Sequence, residues 1–380
     1  MGWGEFGQTG QGGPSYEIYP AEIPHPTAEA GSWGGMKQLC GGHSHTMVLM
    51  DDGVVYGWGR ATEGQLHPSA EASSPDGKHV FEPIELGGLP HDLQHLGAAG
   101  VYSAGVTSKG QVFTWGSGGQ GQLGRPDVDT PAPAGILETL PSMRRTACGW
   151  GHVLNLTEGG ELYAHGFSEW GQLGLGSGDS RASPTLLNQE LFGSMGVIDV
   201  ATGLDHSLAL TEDGRVWTWG FGGNGQLGHG DCNHSTIPRE IEMLRGLNVI
   251  QVSGGWSHSA AVTQEGELWV WGGGENGQLG LGSHALSDIG GYVCSPTLLE
   301  IGDPVQVTQI SLGRVHSACV TSDGALYTWG SGHKGRLGHG GTENEMRPSE
   351  VPLEDFVGEE GVAVTVCCGL DHTIVAIEEA

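Results

Sequence analysis

The sequence is short of basic residues, with 15 lysines and arginines against 44 aspartates and glutamates and a formal net charge of −29 over 380 residues. The nearest approach to a basic cluster is Arg144-Arg145. A surface this acidic repels nucleic-acid phosphates and anionic lipid headgroups. We therefore expect a protein partner, with no direct nucleic-acid binding and no membrane association.

Long apolar runs are also missing. No segment approaches the roughly 18 apolar residues of a membrane span, and MGWGEFGQTG at the start lacks the apolar core of a signal peptide. The seven cysteines are odd in number and form no C-x-x-C pair, which favours reduced, mostly buried thiols over a disulfide framework. These absences predict an intracellular protein, either cytoplasmic or nuclear.

Helical periodicity is the last absence, since no segment combines a 3.6-residue apolar period with capping residues. Glycine is what the chain has instead, at 71 residues, and it points to many tight turns. We expect almost no helix.

The glycines belong to an internal repeat of about 50 to 58 residues. Each unit contains G-x-x-H, an apolar segment, a D-G or E-G turn, a second alternating segment ending in W-G, and a G-Q-L-G-like turn. We assign the W-G pairs to Trp3, Trp58, Trp115, Trp219, Trp271 and Trp329, with His165 replacing the ring in one unit. Seven copies of G-x-x-H are present, and we assign Ser103 as the replacement for histidine in the second.

This pattern predicts hairpins, each preceded by a further short strand. A unit of about four short strands cannot bury its own faces, so neighbouring units must stack. Radial stacking closes the ring and protects the strand edges. The predicted fold is all-β, a single seven-bladed β-propeller over residues 1–380 with four-stranded antiparallel blades.

The ordered recurrence of G-x-x-H-S/T, D-G-x-V/L-Y/W-x-W-G and G-Q-L-G resembles the regulator of chromosome condensation repeat family, whose members form seven-bladed propellers. The resemblance covers essentially the whole chain. Two features depart from it. His165 replaces a tryptophan, and HTIVAIEEA at the end lacks a following W-G strand, for which MGWG offers only a stub. We therefore expect the terminal blade to be incomplete.

Four kinds of functional site can be set aside. The G-x-G-x-x-G matches at Gly116, Gly220, Gly272 and Gly330 lead into a turn instead of the helix that a dinucleotide needs. The repeated histidines and tryptophans suit structural packing. No nucleophile–base pair stands out, so we expect no conventional catalytic site and no cofactor. HGDCNH gathers His229, Asp231, Cys232 and His234, but a polar turn is the better interpretation than a zinc site.

The two residues between Gly and His vary from unit to unit, and such positions on a fixed scaffold can determine partner choice. In the family that the chain resembles, these loops contact the partner, and acidic and histidine side chains of the founding exchange factor face a small GTPase. The candidate partner-binding residues are His43, Tyr102, Trp150, Asp205, Trp256, Arg314 and Asp371.

Three functions follow as hypotheses. The first is an interaction propeller acting as a guanine-nucleotide exchange factor or regulator for a small GTPase. The alternative is a non-GTPase adaptor or scaffold that binds basic proteins. A light sensor like the family's plant ultraviolet-B photoreceptor is disfavoured, because Leu204 separates the two loop tryptophans and neither of them is followed by arginine.

Overall fold

The computed structural model describes residues 1–26, 33–66, 77–282, 291–302, 305–357 and 361–379. Six four-stranded antiparallel sheets follow one another along the chain, and two two-stranded sheets come from its beginning and its end. The prediction of an all-β propeller with four-stranded antiparallel blades is confirmed. The described residues form six four-stranded blades where seven blades were predicted, and the terminal strands, expected to give an incomplete blade, form two two-stranded sheets.

The strands are numbered in chain order. The first terminal pair is β1 (Gly2–Trp3) with β2 (Tyr16–Glu17). Blade 1 contains β3 (Met36–Gly41), β4 (His45–Met50), β5 (Val55–Arg60) and β6 (His79–Glu85). Blade 2 contains β7 (Leu93–Ala99), β8 (Tyr102–Thr107), β9 (Val112–Gly116) and β10 (Ala132–Ile136). Blade 3 contains β11 (Met143–Cys148), β12 (His152–Thr157), β13 (Leu162–Gly166) and β14 (Arg181–Leu186).

Blade 4 contains β15 (Val197–Thr202), β16 (His206–Thr211), β17 (Val216–Gly220) and β18 (Ser235–Glu240). Blade 5 contains β19 (Val249–Gly254), β20 (His258–Thr263), β21 (Leu268–Gly273) and β22 (Tyr292–Leu299). Blade 6 contains β23 (Val307–Leu312), β24 (His316–Thr321), β25 (Leu326–Gly330) and β26 (Glu345–Val351). The last terminal pair is β27 (Gly361–Cys368) with β28 (Thr373–Glu379).

Helical structure in the described residues is confined to single turns at Gln189–Phe192, Glu242–Leu244, His333–Gly335 and Glu354–Val357. This matches the expectation of almost no helix. Within the same residues, no helix has the length and apolar character needed to cross a membrane.

Glycine shapes each hairpin at two points, as blade 4 illustrates. Gly214 closes the turn between β16 and β17 with a φ of 77°, a conformation that only glycine adopts readily. Gly220 ends β17 with a φ of 99°, and a Cβ placed there would lie 2.6 Å from the carbonyl oxygen of Asp205. The W-G glycine therefore permits the close approach of two loops, as its repetition in the sequence suggested.

The repeated tryptophans fill the space between blades. Trp58, Trp115, Trp219, Trp271 and Trp329 are each at most 1% exposed. Trp271 of blade 5, for example, packs with Leu208, Val216 and Ile241 of blade 4. Burying an aromatic ring of this size contributes strongly to the packing of one sheet against the next.

In every four-stranded blade except blade 2, the second strand begins with a histidine that reaches across to the following strands of the ring. His206 Nε2 lies 2.9 Å from the hydroxyl of Ser259 in blade 5. That hydroxyl donates to the carbonyl oxygen of Gln226 in the G-Q-L-G turn of blade 4 at 2.9 Å, and Trp271 Nε1 donates to the same oxygen at 2.8 Å. Because the hydroxyl proton is used on Gln226, the hydroxyl accepts from His206 Nε2–H. We call this arrangement the inter-blade relay.

The relay recurs around the ring. Its other histidine–hydroxyl contacts are His45–Ser103 at 3.0 Å, His152–Ser207 at 3.0 Å, His258–Ser317 at 3.1 Å, His316–Thr373 at 3.0 Å and His372–Thr46 at 2.8 Å. His316–Thr373 joins blade 6 to the last terminal strand pair, and His372–Thr46 joins that pair to blade 1. The structural role predicted for the repeated histidines accounts for these contacts.

Blade 2 replaces the relay histidine with Tyr102. Tyr102 pairs with Gly116, as His206 pairs with Gly220 in blade 4, so the expected replacement by Ser103 is wrong by one residue. Ser103 occupies the serine position of the relay instead. In this register Ala99 stands at the glycine position of the G-x-x-H loop. Gly100 is the next residue, so matching the loop to Gly100 shifted the histidine position from Tyr102 to Ser103.

Tyr102 is also wrong as a partner contact. Its side chain is fully buried, and its hydroxyl lies 2.8 Å from the carbonyl oxygen of Gly149 and 2.9 Å from that of His152 in blade 3. Because the Tyr102 side chain is buried and both of its contacts are to blade 3, it stabilises the interface between blades 2 and 3.

The two terminal strand pairs meet at a single bridge between Gly2 and His372. In that register Gly2 corresponds to the W-G glycine, with a φ of 113°, so Met1 takes the position of the blade tryptophan. The assignment of Trp3 to the repeated W-G position is therefore wrong by two residues. Gln8 of the same segment supplies the carbonyl that accepts from Trp58 Nε1 at 3.0 Å, which completes the relay into blade 1.

The relay makes stability depend on pH. Burial lowers the pKa of His206 from 6.5 to about 3, and the same cause lowers the pKa of His45, His152, His258 and His372 to about 3. The folded protein keeps these rings neutral, whereas the unfolded chain protonates them near their ordinary value. Their contribution is therefore fully present above about pH 6.5 and is lost progressively as the pH falls.

We expect the urea midpoint to fall steadily between about pH 7 and pH 5, before most carboxylates titrate. His206→Gln, which keeps a donor but cannot titrate, should reduce the slope of unfolding free energy against pH by up to one proton. His91→Gln, a change in a connecting loop, is the matched control. A slope unchanged in His206→Gln would contradict the neutral-ring assignment.

Candidate functional site

The G-x-x-H loops gather at one end of the propeller, close to its axis. They do so because each first strand packs beside the first strands of neighbouring blades. Backbone bonds of 3.2 Å join successive loops, from Leu204 N to Gly255 O, Trp256 N to Gly313 O, Arg314 N to Leu370 O, and Leu370 N to Gly42 O. We call this end, which also carries the G-Q-L-G turns, the loop face.

Five of the seven predicted residues form a chain of contacts on the loop face. The ring centroids of His43 and Trp150 are 5.2 Å apart, and those of Trp150 and Trp256 are 5.7 Å apart in an edge-on arrangement. The guanidinium of Arg314 lies 4.9 Å from the centre of the Trp256 ring and 4.0 Å from the carboxylate of Asp371. We call these five residues the axial cluster.

The contact between Trp150 and Trp256 overturns one argument made from the sequence. Leu204 intervenes between them in blade order, yet the convergence of the loops on the axis brings the two rings together. The rings are partly buried, and Arg314 is exposed. The cluster therefore presents an aromatic and cationic surface that can contact a partner.

Asp371 is buried and already has a partner that the sequence did not reveal. Arg336 of the preceding G-R-L-G turn places its guanidinium 2.8 Å from the carboxylate and is itself only 3% exposed. The signal was present in the sequence, since this turn has arginine where the others have glutamine. The Asp371 carboxylate therefore interacts with Arg336 and Arg314 of the chain itself, so it is less available to a partner than an unpaired carboxylate would be.

Asp205 occupies the equivalent loop of blade 4 but has different surroundings. Gln172 Nε2 donates to its carboxylate at 3.1 Å. Burial and the nearby Glu169 carboxylate raise the pKa of Asp205, and the Gln172 hydrogen bond acts in the opposite direction. Asp205 and Trp256 line a shared cavity of about 160 Å³ together with Trp170 and other residues of blades 3 to 5.

The side chains of the HGDCNH turn make contacts with other parts of blades 4 and 5. His229 Nε2 lies 3.0 Å from the hydroxyl of Thr218, and His234 Nδ1 accepts from the backbone N–H of Gly222 at 2.9 Å. Cys232 Sγ lies 3.0 Å from Cys294 Sγ of blade 5. No group of three or more metal-ligating side chains converges anywhere in the described ranges.

Fold and face together define a repeat propeller that displays variable loop residues at one end of a ring of buried histidines. A family model described as the RCC1-like domain matches residues 1–375. The chain belongs to the RCC1-like domain family.

Individual relatives place the chain within this family. It is 33% identical over 343 residues to the human E3 ubiquitin-protein ligase HERC2, which covers 89% of this chain but only 7% of that protein. It is 30% identical over 367 residues to the Arabidopsis thaliana ultraviolet-B receptor UVR8, covering 95% of this chain and 78% of the relative. The crystal structure of human WBSCR16 superposes with a TM-score of 0.83 at 26% identity, covering 100% of this chain and 98% of that one.

The axial cluster predicts a spectroscopic signature. Trp150→Phe removes one of two indoles in edge contact, so we expect loss of the near-ultraviolet circular dichroism that their coupling produces. The unfolding midpoint should change little, because the ring is only partly buried at a loop. Trp269→Phe, on a blade strand outside the cluster, should keep that signal, and an unchanged spectrum for Trp150→Phe would contradict the contact.

Proposed function

We propose that this protein is an interaction propeller whose loop face binds a protein partner, with exchange or regulation of a small GTPase as its activity. The observation that carries the proposal is the axial cluster, where aromatic and charged side chains from separate blades come together on backbone-linked loops. Aromatic and arginine side chains of this kind are enriched among residues that dominate binding energy.

The GTPase assignment draws on the character of the activity. An exchange factor stabilises the nucleotide-free GTPase through contacts alone, so this activity requires a binding face and no covalent chemistry. Prp20p of Saccharomyces cerevisiae, whose binding to Gsp1p and histones has been described, shares the fold at a TM-score of 0.83. At 22% identity this likeness concerns the fold, so the proposal depends on the loop face.

The paired chain ends are proposed to act as a seventh blade that completes the loop face. Support comes from the two relay contacts that pass through them, His316–Thr373 and His372–Thr46. Asp371 of the axial cluster lies in this region, and its carbonyl oxygen accepts from Trp3 N at 3.0 Å.

Nucleotide release from a panel of purified small GTPases tests the proposal. We expect one member to lose bound nucleotide at least about tenfold faster with the protein present, and Trp150→Ala with Trp256→Ala to abolish the acceleration. Met243→Ala, an exposed apolar residue between blades 4 and 5 at the opposite end, should leave it intact. Acceleration of no GTPase would remove the exchange activity and leave a binding face.

A non-GTPase adaptor for basic proteins is the second candidate, favoured by the net charge of −29. In a pull-down from lysate this function predicts mainly basic proteins, with recovery falling as salt rises because exposed charges are screened. Loss of those proteins with the Trp150→Ala, Trp256→Ala double variant would assign them to the loop face. Recovery unaffected by salt and by the double variant would exclude this candidate.

A further inference from the structure

The loop sequence Gly-Leu-Asp-His occurs twice, at residues 203–206 and 369–372, and the two copies manage the aspartate differently. At Asp371 the preceding blade supplies Arg336, whose guanidinium lies 2.8 Å from the carboxylate. At Asp205 the equivalent turn residue is Gln172, which offers a neutral amide at 3.1 Å. In the described part of the chain, no lysine or arginine lies within 4.0 Å of the Asp205 carboxylate. The chain therefore neutralises one copy and leaves the other charged.

The two copies also differ at a second position, where one has a cationic side chain and the other an aromatic one. Two residues before Arg336, Lys334 places its ammonium 3.0 Å from the centre of the Trp3 ring. In the Asp205 copy, Trp170 lies two residues before Gln172 and so corresponds to Lys334. Phe221 corresponds to Trp3, because each directly follows the glycine at the W-G position. The Trp170 and Phe221 centroids are 5.1 Å apart at an interplanar angle of 72°. Where one copy holds a cation over an aromatic ring, the other has two aromatic rings.

The loop that carries Asp205 also borders a cavity. Its cavity of about 160 Å³ is lined by Trp170, Phe221, Trp256 and Asp205, among others. Aromatic faces attract cations through the ring quadrupole, and a carboxylate adds a charge-assisted hydrogen bond. Glu169, exposed beside Trp170, adds to the negative potential of this region.

We propose that this cavity, which we call the Asp205 pocket, binds a lysine or arginine side chain protruding from the protein partner. The copy at Asp371 serves as the internal comparison, because there Arg336 and Lys334 of the chain itself stand where Gln172 and Trp170 stand in the Asp205 copy, and Arg336 pairs with the aspartate. This inference specifies which chemical group of the partner contacts the loop face, and it therefore rests on the proposed function. The guanidinium or ammonium lies against Trp170 and Trp256 and donates to Asp205.

The test uses the full chain and small probes. N-acetyl-arginine methylamide and N-acetyl-lysine methylamide carry the cation, and N-acetyl-citrulline methylamide is the neutral isostere of arginine. Saturation-transfer NMR titrations should show binding of the cationic probes and at least about tenfold weaker binding of citrulline. Equal binding of citrulline and arginine would overturn the proposal.

Two variants report on the pocket in different ways. Asp205→Asn keeps the shape and removes the charge, and it should weaken the cationic probes at least about tenfold. Gln172→Arg should pair with the Asp205 carboxylate from within the chain, as Arg336 pairs with Asp371, and abolish probe binding. Glu242→Gln, an exposed carboxylate at the opposite end, is the control and should have no effect. Unfolding midpoints check that each variant is folded, and unaltered probe binding by folded Asp205→Asn overturns the proposal.

The outcome is separable from that of the proposed function. If a captured protein partner is lost with Trp150→Ala but retained at full affinity by Asp205→Asn, the loop face stands and the Asp205 pocket fails. If the probes bind as expected while no partner engages the face, the pocket stands and the proposed function fails.

Discussion

The propeller depends on a neutral imidazole that crosses from one blade to the next at every junction except that between blades 2 and 3. His206 and its counterparts donate to a hydroxyl, and that hydroxyl and a tryptophan N–H converge on one carbonyl oxygen of a G-Q-L-G turn. Every part of this contact is buried, so its polar groups must find one another inside the ring. The requirement explains why histidine, serine, tryptophan and the turn recur as a set. Where Tyr102 replaces the histidine, Val153 and His165 take the serine and tryptophan positions of blade 3, and the phenol contacts backbone carbonyl oxygens instead.

Because the scaffold repeats, the charges on the loop face define its orientation. Arg314, Lys334 and Arg336 lie on the side of blade 6 and the chain ends, where Asp371 and aromatic rings engage them. Trp150, Trp256 and the Asp205 pocket belong to blades 3 to 5, where Arg314 reaches over the Trp256 ring but no lysine or arginine of the described residues pairs with Asp205. Under the proposed function, a partner that complements one side of the face is mismatched to the other, which gives a nearly symmetric ring a single binding direction.

Much of the architecture was predictable from the sequence because its determinants are local. Glycine turns and alternating strands specify hairpins, and their recurrence specifies a propeller. The errors at Tyr102 and Trp3 concern strand register. Register is set by the pairing of Tyr102 with Gly116 and of Gly2 with His372, and the neighbouring residues do not specify it.

The site was predictable as a set of loops but not as a set of contacts. Trp150 meets Trp256 past Leu204, and Arg336 meets Asp371, only because the ring brings distant segments to its axis. The inter-blade relay is buried beneath those loops. The side chains of the two residues that vary in each loop take no part in the relay, although Asp371 pairs with the buried Arg336. Recognition can therefore diverge between related propellers by substitutions that cost little stability, so new partners are accessible to evolution without passing through unfolded intermediates.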